Sequence, residues 1–330
     1  MSASASAAAQ APGQGARVSL LRKRADRFGD RAIFGICLLA AVLAIGTIVL
    51  VGYEIVHGAM PAIEKFGLGF VTSTTWQPNF SKFGAGVLLF GTAVTSGIAL
   101  LLGGPIAIAI GLFLTLLAPK SMAAVIGPLV ELLAAIPSVI LGFWGLVVLA
   151  PFVQEHVEPF LHHKLGFIPI FGEPQTTGLS VFTASLILTI MVIPIIASIT
   201  RDLFRSVPPE LQDGASALGA TRWEVVRGII LPTTSSGVIA ACILGLGRAL
   251  GEAIAVSQVI GAGSKISSNL FAPGSTLAAQ IALQFPGALT ELHKAALFYC
   301  GVILLVIGLI ANLIAGWIGR RFSYSGAVNW

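Results

Sequence analysis

VLLFGTAVTSGIALLLGGPIAIAIGLFLTLL, Val87 to Leu117, is the stretch on which the fold turns. It runs 31 residues with Gly103-Gly104-Pro105 inside, where a bilayer crossing needs only ~20 apolar residues. It reads either as one long kinked helix or as a tight pair of short ones. Every later segment changes side of the membrane according to which it is.

The rest of the chain supplies the means to decide. Hydrophobic residues make up 56% of the 330 and charged residues 10%, against about 25% charged in a soluble chain. This excludes a soluble enzyme, and the chain is an integral membrane protein. Further apolar runs lie at 32–56, 125–150, 180–200, 237–260 and 295–318. The first is too long for a signal-peptide core and has no processing site after it, so it reads as a retained span.

With a single span at 87–117 there are six, and both termini share a side. Arg17, Arg22, Lys23, Arg24, Arg27, Arg31, Lys120, Arg201, Arg205, Arg222, Arg227, Arg320 and Arg321 then lie on that side, and only Lys65, Lys82, Lys164, Lys265 and Lys294 on the other. Splitting the run destroys the bias. The positive-inside rule therefore gives an all-α, polytopic inner-membrane protein of six transmembrane helices with both termini cytoplasmic. Its parts are a disordered, basic cytoplasmic tail at 1–31, a first helix at 32–57, a core of five helices at 84–320 with a cytoplasmic loop at 203–236, and a cytoplasmic tail at 321–330. Outer loops near 57–85, 151–179 and 261–294 are long enough to form a docking surface. The net charge of +5 is spread over these segments and does not form a nucleic-acid patch. Cys37, Cys242 and Cys300 all fall in apolar stretches and read as small buried hydrophobes.

The longest cytoplasmic loop is SVPPELQDGASALGATRWEVVRGIILP, Ser206 to Pro232. Prolines open and close it, so the helices between are bounded by residues that cannot continue a helix ladder. Asp213, Ala217 and Gly219 share a helical segment, and ATRWEVV suits a second turn of helix. Gly214, Ala215, Ala217 and Gly219 let another surface approach the backbone closely.

This loop resembles the EAA loop of ATP-binding-cassette importer permeases, whose pattern is Glu-Ala-Ala, three residues, Gly, nine residues, Ile, any residue, Leu-Pro. Asp213-Gly214-Ala215 stands for the first three, Gly219 is the glycine, and Ile229, Leu231 and Pro232 close the pattern. Asp replaces Glu and Gly replaces the first Ala. The resemblance implies a MetI-like permease fold and a coupling helix, at about Gln212–Trp223, that sits in a groove on a separate ATPase. Asp213, Gly214, Ala215, Gly219, Ala220, Trp223 and Pro232 are the residues it assigns to that contact. The chain itself carries no nucleotide site. GAGSK at Gly261–Lys265 lacks the GxxxxGK[ST] arrangement, and Gly245, Gly247 and Gly251 miss the GxGxxG spacing. As glycines within a span, those three read as close helix packing.

Arg248 and Glu252, in GLGRALGEAIAV, are the charges placed deepest. Arg248 lies about twelve residues into the fifth span, ~18 Å deep and near the midplane, where a charge costs at least ~2.5–3.5 kcal/mol. Glu252, four residues on, is expected on the same helix face. The pair reads either as an internal ion pair that pins helices or as part of a polar path. Arginine suits an oxyanion because its planar fork donates bidentately and stays charged. A neighbouring carboxylate limits the grip on the anion and can accept a hydrogen bond from a protonated one, which points to phosphate.

RALGEAIAVSQVIG, ELLAAIPSVILGFWGL and FVTSTTWQP resemble the corresponding stretches of the permease of phosphate-specific importers, the PstC type, and the likeness runs from about Arg31 to the C-terminus. It implies a second permease of similar fold (PstA type), an ATPase dimer that binds ATP and magnesium (PstB type) and an extracytoplasmic phosphate-binding protein (PstS type). No cofactor or metal is expected in this chain, and no enzymatic activity. Permeation of sulfate or molybdate, or gradient-driven secondary transport, are the alternatives.

Three further features complete the inventory. Glu131, just before Ala135-Ile136-Pro137-Ser138, is a second buried acid, expected to pair with Arg248 or a partner subunit or to lie near the cytoplasmic mouth. Thr92, Thr95 and Ser96 form a stripe whose hydroxyls are expected to bond to backbone. QEHVEPFLHHK, Gln154 to Lys164, matches no zinc spacing and reads as an exposed polar loop.

Overall fold

The computed structural model describes residues 14–322, with the backbone alone at 14–28, 315 and 319–322. The tail at 1–13 and the C-terminal residues 323–330 lie outside the described residues. The chain divides into two compact units, Met1–Glu54 and Ile55–Trp330. Described residues of the first belong to a helix, α1, that runs Gln14–Phe66. Helix therefore begins well inside the expected disordered tail and ends later than the expected residue 57.

The second unit continues with α2 (Gly86–Leu117), α3 (Lys120–Ala135), α4 (Ser138–Leu165) and α5 (Val181–Arg205). Then come α6 (Pro209–Ala217), α7 (Arg222–Gly251), α8 (Ile254–Val259), α9 (Leu277–Gln284) and α10 (Glu291–Phe322). There is no strand among the described residues, only an isolated bridge between Gln77 and Lys82. Six of these helices are long and apolar enough to cross a membrane, and the stretch 86–117 is one of them, undivided.

Two spans differ from expectation. The run at 125–150 is not one helix: α3 ends at Ala135, Ile136 is extended, and α4 starts at Ser138 after Pro137. Proline disfavours helical backbone in the residue before it, so Ile136 leaves the helix. As a result α4 reaches Leu165, and Gln154–Lys164 is helical instead of a loop. The fifth span starts early, at Arg222, and stops at Gly251, where Glu252 is extended before the short α8. Pro232 therefore does not close the loop, as the sequence leads one to expect; it lies inside α7.

Four prolines in or beside the spans share one device, whereas Pro61, Pro105, Pro128 and Pro194 lie inside α-helix without it. Four π-turns occur among the described residues, at Phe113–Leu117, Gly145–Leu149, Val153–Val157 and Val226–Ile230. Each ends two residues before a proline, at Pro119, Pro151, Pro159 and Pro232. In each the residue just before the proline donates its N–H five residues back instead of four: Ala118 to Phe113, Ala150 to Gly145, Glu158 to Val153, Leu231 to Val226. The proline ring crowds the carbonyl four residues before it and offers no N–H. Widening the turn relieves the clash, and the helix continues through Pro151, Pro159 and Pro232 but ends before Pro119.

Small residues set the helix packing, as expected where lipid gives no hydrophobic drive for association. α2 and α5 form the most extensive helix pair. A Cβ at Gly103 would touch Thr189 and Ile193, one at Gly111 would meet the Thr200 hydroxyl at 2.6 Å, and one at Gly245 would press on Val192 and Ile196. The core at this crossing joins Ala99, Ala107, Ala184, Ile187, Ile196 and Ala241. Thr92, Thr95 and Ser96 are buried, and each hydroxyl donates to the carbonyl four residues back; Thr92 Oγ1 also accepts from the Leu277 N–H. The stripe thus bonds to backbone.

The ends of the second unit are distinct. At one end Phe204, Val207, Val225 and Ile230 pack with Leu112 and Leu116 under the 206–221 loop. At the other, the Ser180 N–H donates to Val259, Val181 to Ala272 and Phe182 to Leu270, tying α8 and the loop after it to the start of α5.

Candidate functional site

The 206–221 loop is built from its sequence almost residue by residue. Pro208 precedes α6 and Pro209 opens it, where a missing N–H costs nothing. At the other end Ala220 donates to the Ala215 carbonyl and Gly219 to Ser216. With Gly219 at φ +87°, this is a Schellman motif with glycine at the left-handed position. Its expected apolar contact is present, because Ala215 and Ala220 both pack on the Phe204 cluster. Thr221 then caps α7: its hydroxyl accepts the Glu224 N–H while the Glu224 carboxylate accepts the Thr221 N–H, a capping box.

The hairpin leaves a coherent face uncovered. Asp213 and Gly214 are exposed on α6, a Cβ at Gly214 would meet nothing, Leu218 is 91% exposed and Trp223 65%. A cavity of about 520 Å³ lies behind, lined by Leu112, Leu116, Gln212, Asp213, Arg222 and Trp223 among others. Apolar side chains and bare backbone presented beside one carboxylate are suited to docking a protein surface.

Arg248 lies near mid-depth. Gly245 packs on Val192 and Ile196, at the middle of α5 (Val181–Arg205). Arg248 is three residues further, ~4.5 Å along the axis. It is exposed, together with Leu244, Gly247 and Gly251, in an i, i+3, i+4, i+7 stripe, while Ala241, Gly245 and Ala249 are buried on the opposite side. A Cβ at Gly247 or Gly251 would meet nothing. Close packing therefore accounts for Gly245 alone of the three glycines.

The expected shared helix face for Arg248 and Glu252 is not formed. α7 ends at Gly251, and half-buried Glu252 stands in extended backbone at the break. No hydrogen bond or ion pair joins either side chain to another described residue; the ion pairs among them are Arg201–Glu131, Arg201–Asp202 and Lys294–Glu291. The two side chains thus form no helix-pinning ion pair among the described residues. Two interrupted helices meet beside this region: Gly142 on α4 abuts Ala255 on α8, each a few residues after its break.

Glu131 is elsewhere. It lies on α3 and pairs with Arg201 of α5, at the end bearing the coupling loop, not with Arg248. Arg201 is only 9% exposed and also donates to Asp202 at 3.2 Å and 3.3 Å. Gly127 makes room for it, since a Cβ there would stand 2.8 Å from a guanidinium nitrogen.

Comparison with known proteins gives this geometry its family. Residues 107–324 match the family described as the binding-protein-dependent transport system inner membrane component. The chain is 42% identical over 286 residues to the phosphate transport system permease protein PstC of Mesorhizobium japonicum, covering 86% of this chain and 87% of that one. It is 43% identical over 279 residues to PstC of Haemophilus influenzae, covering 84% and 85%. The chain belongs to the PstC permease family.

Solved structures agree on the fold. A chain of a bacterial alginate ABC transporter superposes with a TM-score of 0.58 at 21% identity, covering 88% of this chain and 96% of that one. A chain of the MetNI methionine transporter, inward facing, gives 0.52 at 19%, covering 72% and 97%. The PstC-family chain thus has the MetI-like permease fold.

Two features of this PstC-family permease were not read from sequence. Arg201 was counted only as a surface cation, although its burial and partner set are specific. Glu158 was placed in an exposed loop, yet it is fully buried, accepting from the Gln175 N–H at 3.2 Å and the Ser180 hydroxyl at 3.5 Å. It ties α4 to the start of α5, where Ser180 also caps the helix by accepting the Thr183 N–H. No group of three or more metal-ligating side chains occurs among the described residues.

Proposed function

We propose that this chain is the membrane-spanning permease subunit of an ATP-driven, binding-protein-dependent phosphate importer. The observation that carries the site assignment is the uncovered stripe on α7. A guanidinium near mid-depth, flanked by two glycines and with no hydrogen-bond or ion-pair partner among the described residues, is costly facing lipid. It is stabilised where the stripe faces a second permease across a wet path. Arg248 then binds a phosphate oxygen pair bidentately. Glu252, at the break that ends α7, accepts a hydrogen bond from protonated phosphate and keeps the grip weak enough for release. Glu131 remains a residue of the path only through its ion pair with Arg201.

The division of labour is the one that the family resemblance implies. An ATPase dimer of the PstB type docks on Asp213, Gly214, Ala215, Gly219, Ala220 and Trp223, and Pro232 sets the π-turn that carries its movement into α7. A PstA-type permease completes the path, and a PstS-type protein delivers phosphate at the opposite end. The cation-rich end bearing the coupling loop is cytoplasmic. Cycles of ATP binding rock the spans so that the Arg248 region opens to each side in turn.

Labelled-phosphate uptake into vesicles tests this. The assembled importer is expected to take up phosphate only with ATP inside and binding protein outside, with little competition from sulfate or molybdate. Transport by the purified chain alone down a phosphate gradient would contradict the assignment, and strong competition by sulfate would change the substrate.

A further inference from the structure

A cleft of about 430 Å³ opens at the coupling-loop end and shares no lining residue with the coupling helix or the Arg248 stripe. It lies between the end of α2, at Thr115, the first turns of α3, at Lys120 and Ala123, and the last turns of α5, at Arg201 and Arg205. Three cations and one carboxylate, Glu131, line it. Arg201 is committed to Glu131 and Asp202. Lys120 and Arg205 are exposed and make no ion pair with a described residue.

The depth of the cleft and its rim identify the ligand. α2 ends at Leu117, and the apolar run of α5 stops before Arg201, one turn short of the helix end at Arg205, so Lys120 and Arg205 stand at headgroup level. From there Val125, Leu129 and Leu132 form an exposed i, i+4, i+7 stripe along α3, leading from the cations toward the hydrocarbon. A free oxyanion uses the cations but has no use for the stripe. A phospholipid uses both.

We propose that this cleft binds the phosphate headgroup of an anionic phospholipid. Lys120 and Arg205 donate to its oxygens, and Arg201, held by Glu131 and given room by Gly127, supplies a fixed positive field behind them. The acyl chains lie along the α3 stripe.

The test is lipid retention by the intact importer in mixed phosphatidylglycerol and phosphatidylcholine, read by native mass spectrometry. The wild type is expected to retain phosphatidylglycerol preferentially. Lys120→Gln with Arg205→Gln should weaken that retention about tenfold, since each cation at a membrane surface attracts an anionic lipid appreciably. Arg227→Gln, which removes an exposed cation of the same end outside the cleft, should leave it intact. Should the double variant not assemble, each single variant is expected to show a smaller loss. Unchanged retention in the cleft variants, or equal loss in Arg227→Gln, would overturn the proposal. Displacement of the lipid by millimolar inorganic phosphate would overturn it too, making the cleft a free-phosphate site.

Discussion

Gly245 and Gly247, two residues apart on α7, have opposite surroundings. A Cβ at 245 would stand 2.8 Å from Ile196 and 2.9 Å from Val192, whereas one at 247 would meet nothing. Gly245→Ala is therefore expected to destabilise the folded subunit by about 1–3 kcal/mol, because an overpacked crossing forces the neighbouring helices to shift. Gly247→Ala should leave stability unchanged within measurement. Thermal unfolding of both variants in detergent checks this, and equal losses would mean that the α5–α7 crossing is not as close as it stands. Nothing in the sequence separates these two glycines, since the difference is made by a helix some fifty residues away. The same holds for Glu131. Its partner Arg201 is 70 residues distant, and the local pattern offered Arg248 as readily.

At the scale of elements, legibility followed locality. The 206–221 hairpin is readable because proline at its start, Gly219 at its turn and the Thr-x-x-Glu cap are short-range signals. Gly219→Val should strain the turn by about 1–2 kcal/mol, the cost of left-handed backbone for a residue with a Cβ. Binding-protein-stimulated ATP hydrolysis by the assembled complex should fall, with assembly kept. Wild-type stimulation in that variant would separate the turn geometry from coupling. The break after α3 has a local signal in Pro137, but it falls within the apolar run 125–150, which reads as a single span. The break at Glu252 had none: Gly251-Glu252-Ala253 contains no proline, and α8 is held by tertiary contact with Gly142 and Ile260–Gly274. A hydropathy window passes through both breaks because the side chains on either side remain apolar.

At the scale of the molecule, hydropathy and charge bias were sufficient for the number of spans, since bilayer thickness imposes the helix lengths. By the positive-inside rule the 206–221 loop is expected on the cytoplasmic side, which leads to a direct expectation. In a chain with Cys37, Cys242 and Cys300 replaced, a cysteine at exposed Ser216 should react with an impermeant maleimide only after the cells are opened. One at exposed Thr290 should react in intact cells. The reverse pattern would invert the orientation and with it the side on which an ATPase docks.

The most direct test of the central claim is labelled-phosphate uptake by the assembled importer carrying Arg248→Gln, with Arg248→Lys beside it. Loss of the bidentate fork should lower uptake at least about tenfold in the glutamine variant, and lysine should restore only part of it. Binding-protein-stimulated ATP hydrolysis and subunit assembly should stay at wild-type levels. Uptake unchanged in Arg248→Gln would remove the arginine from the anion path and contradict the account.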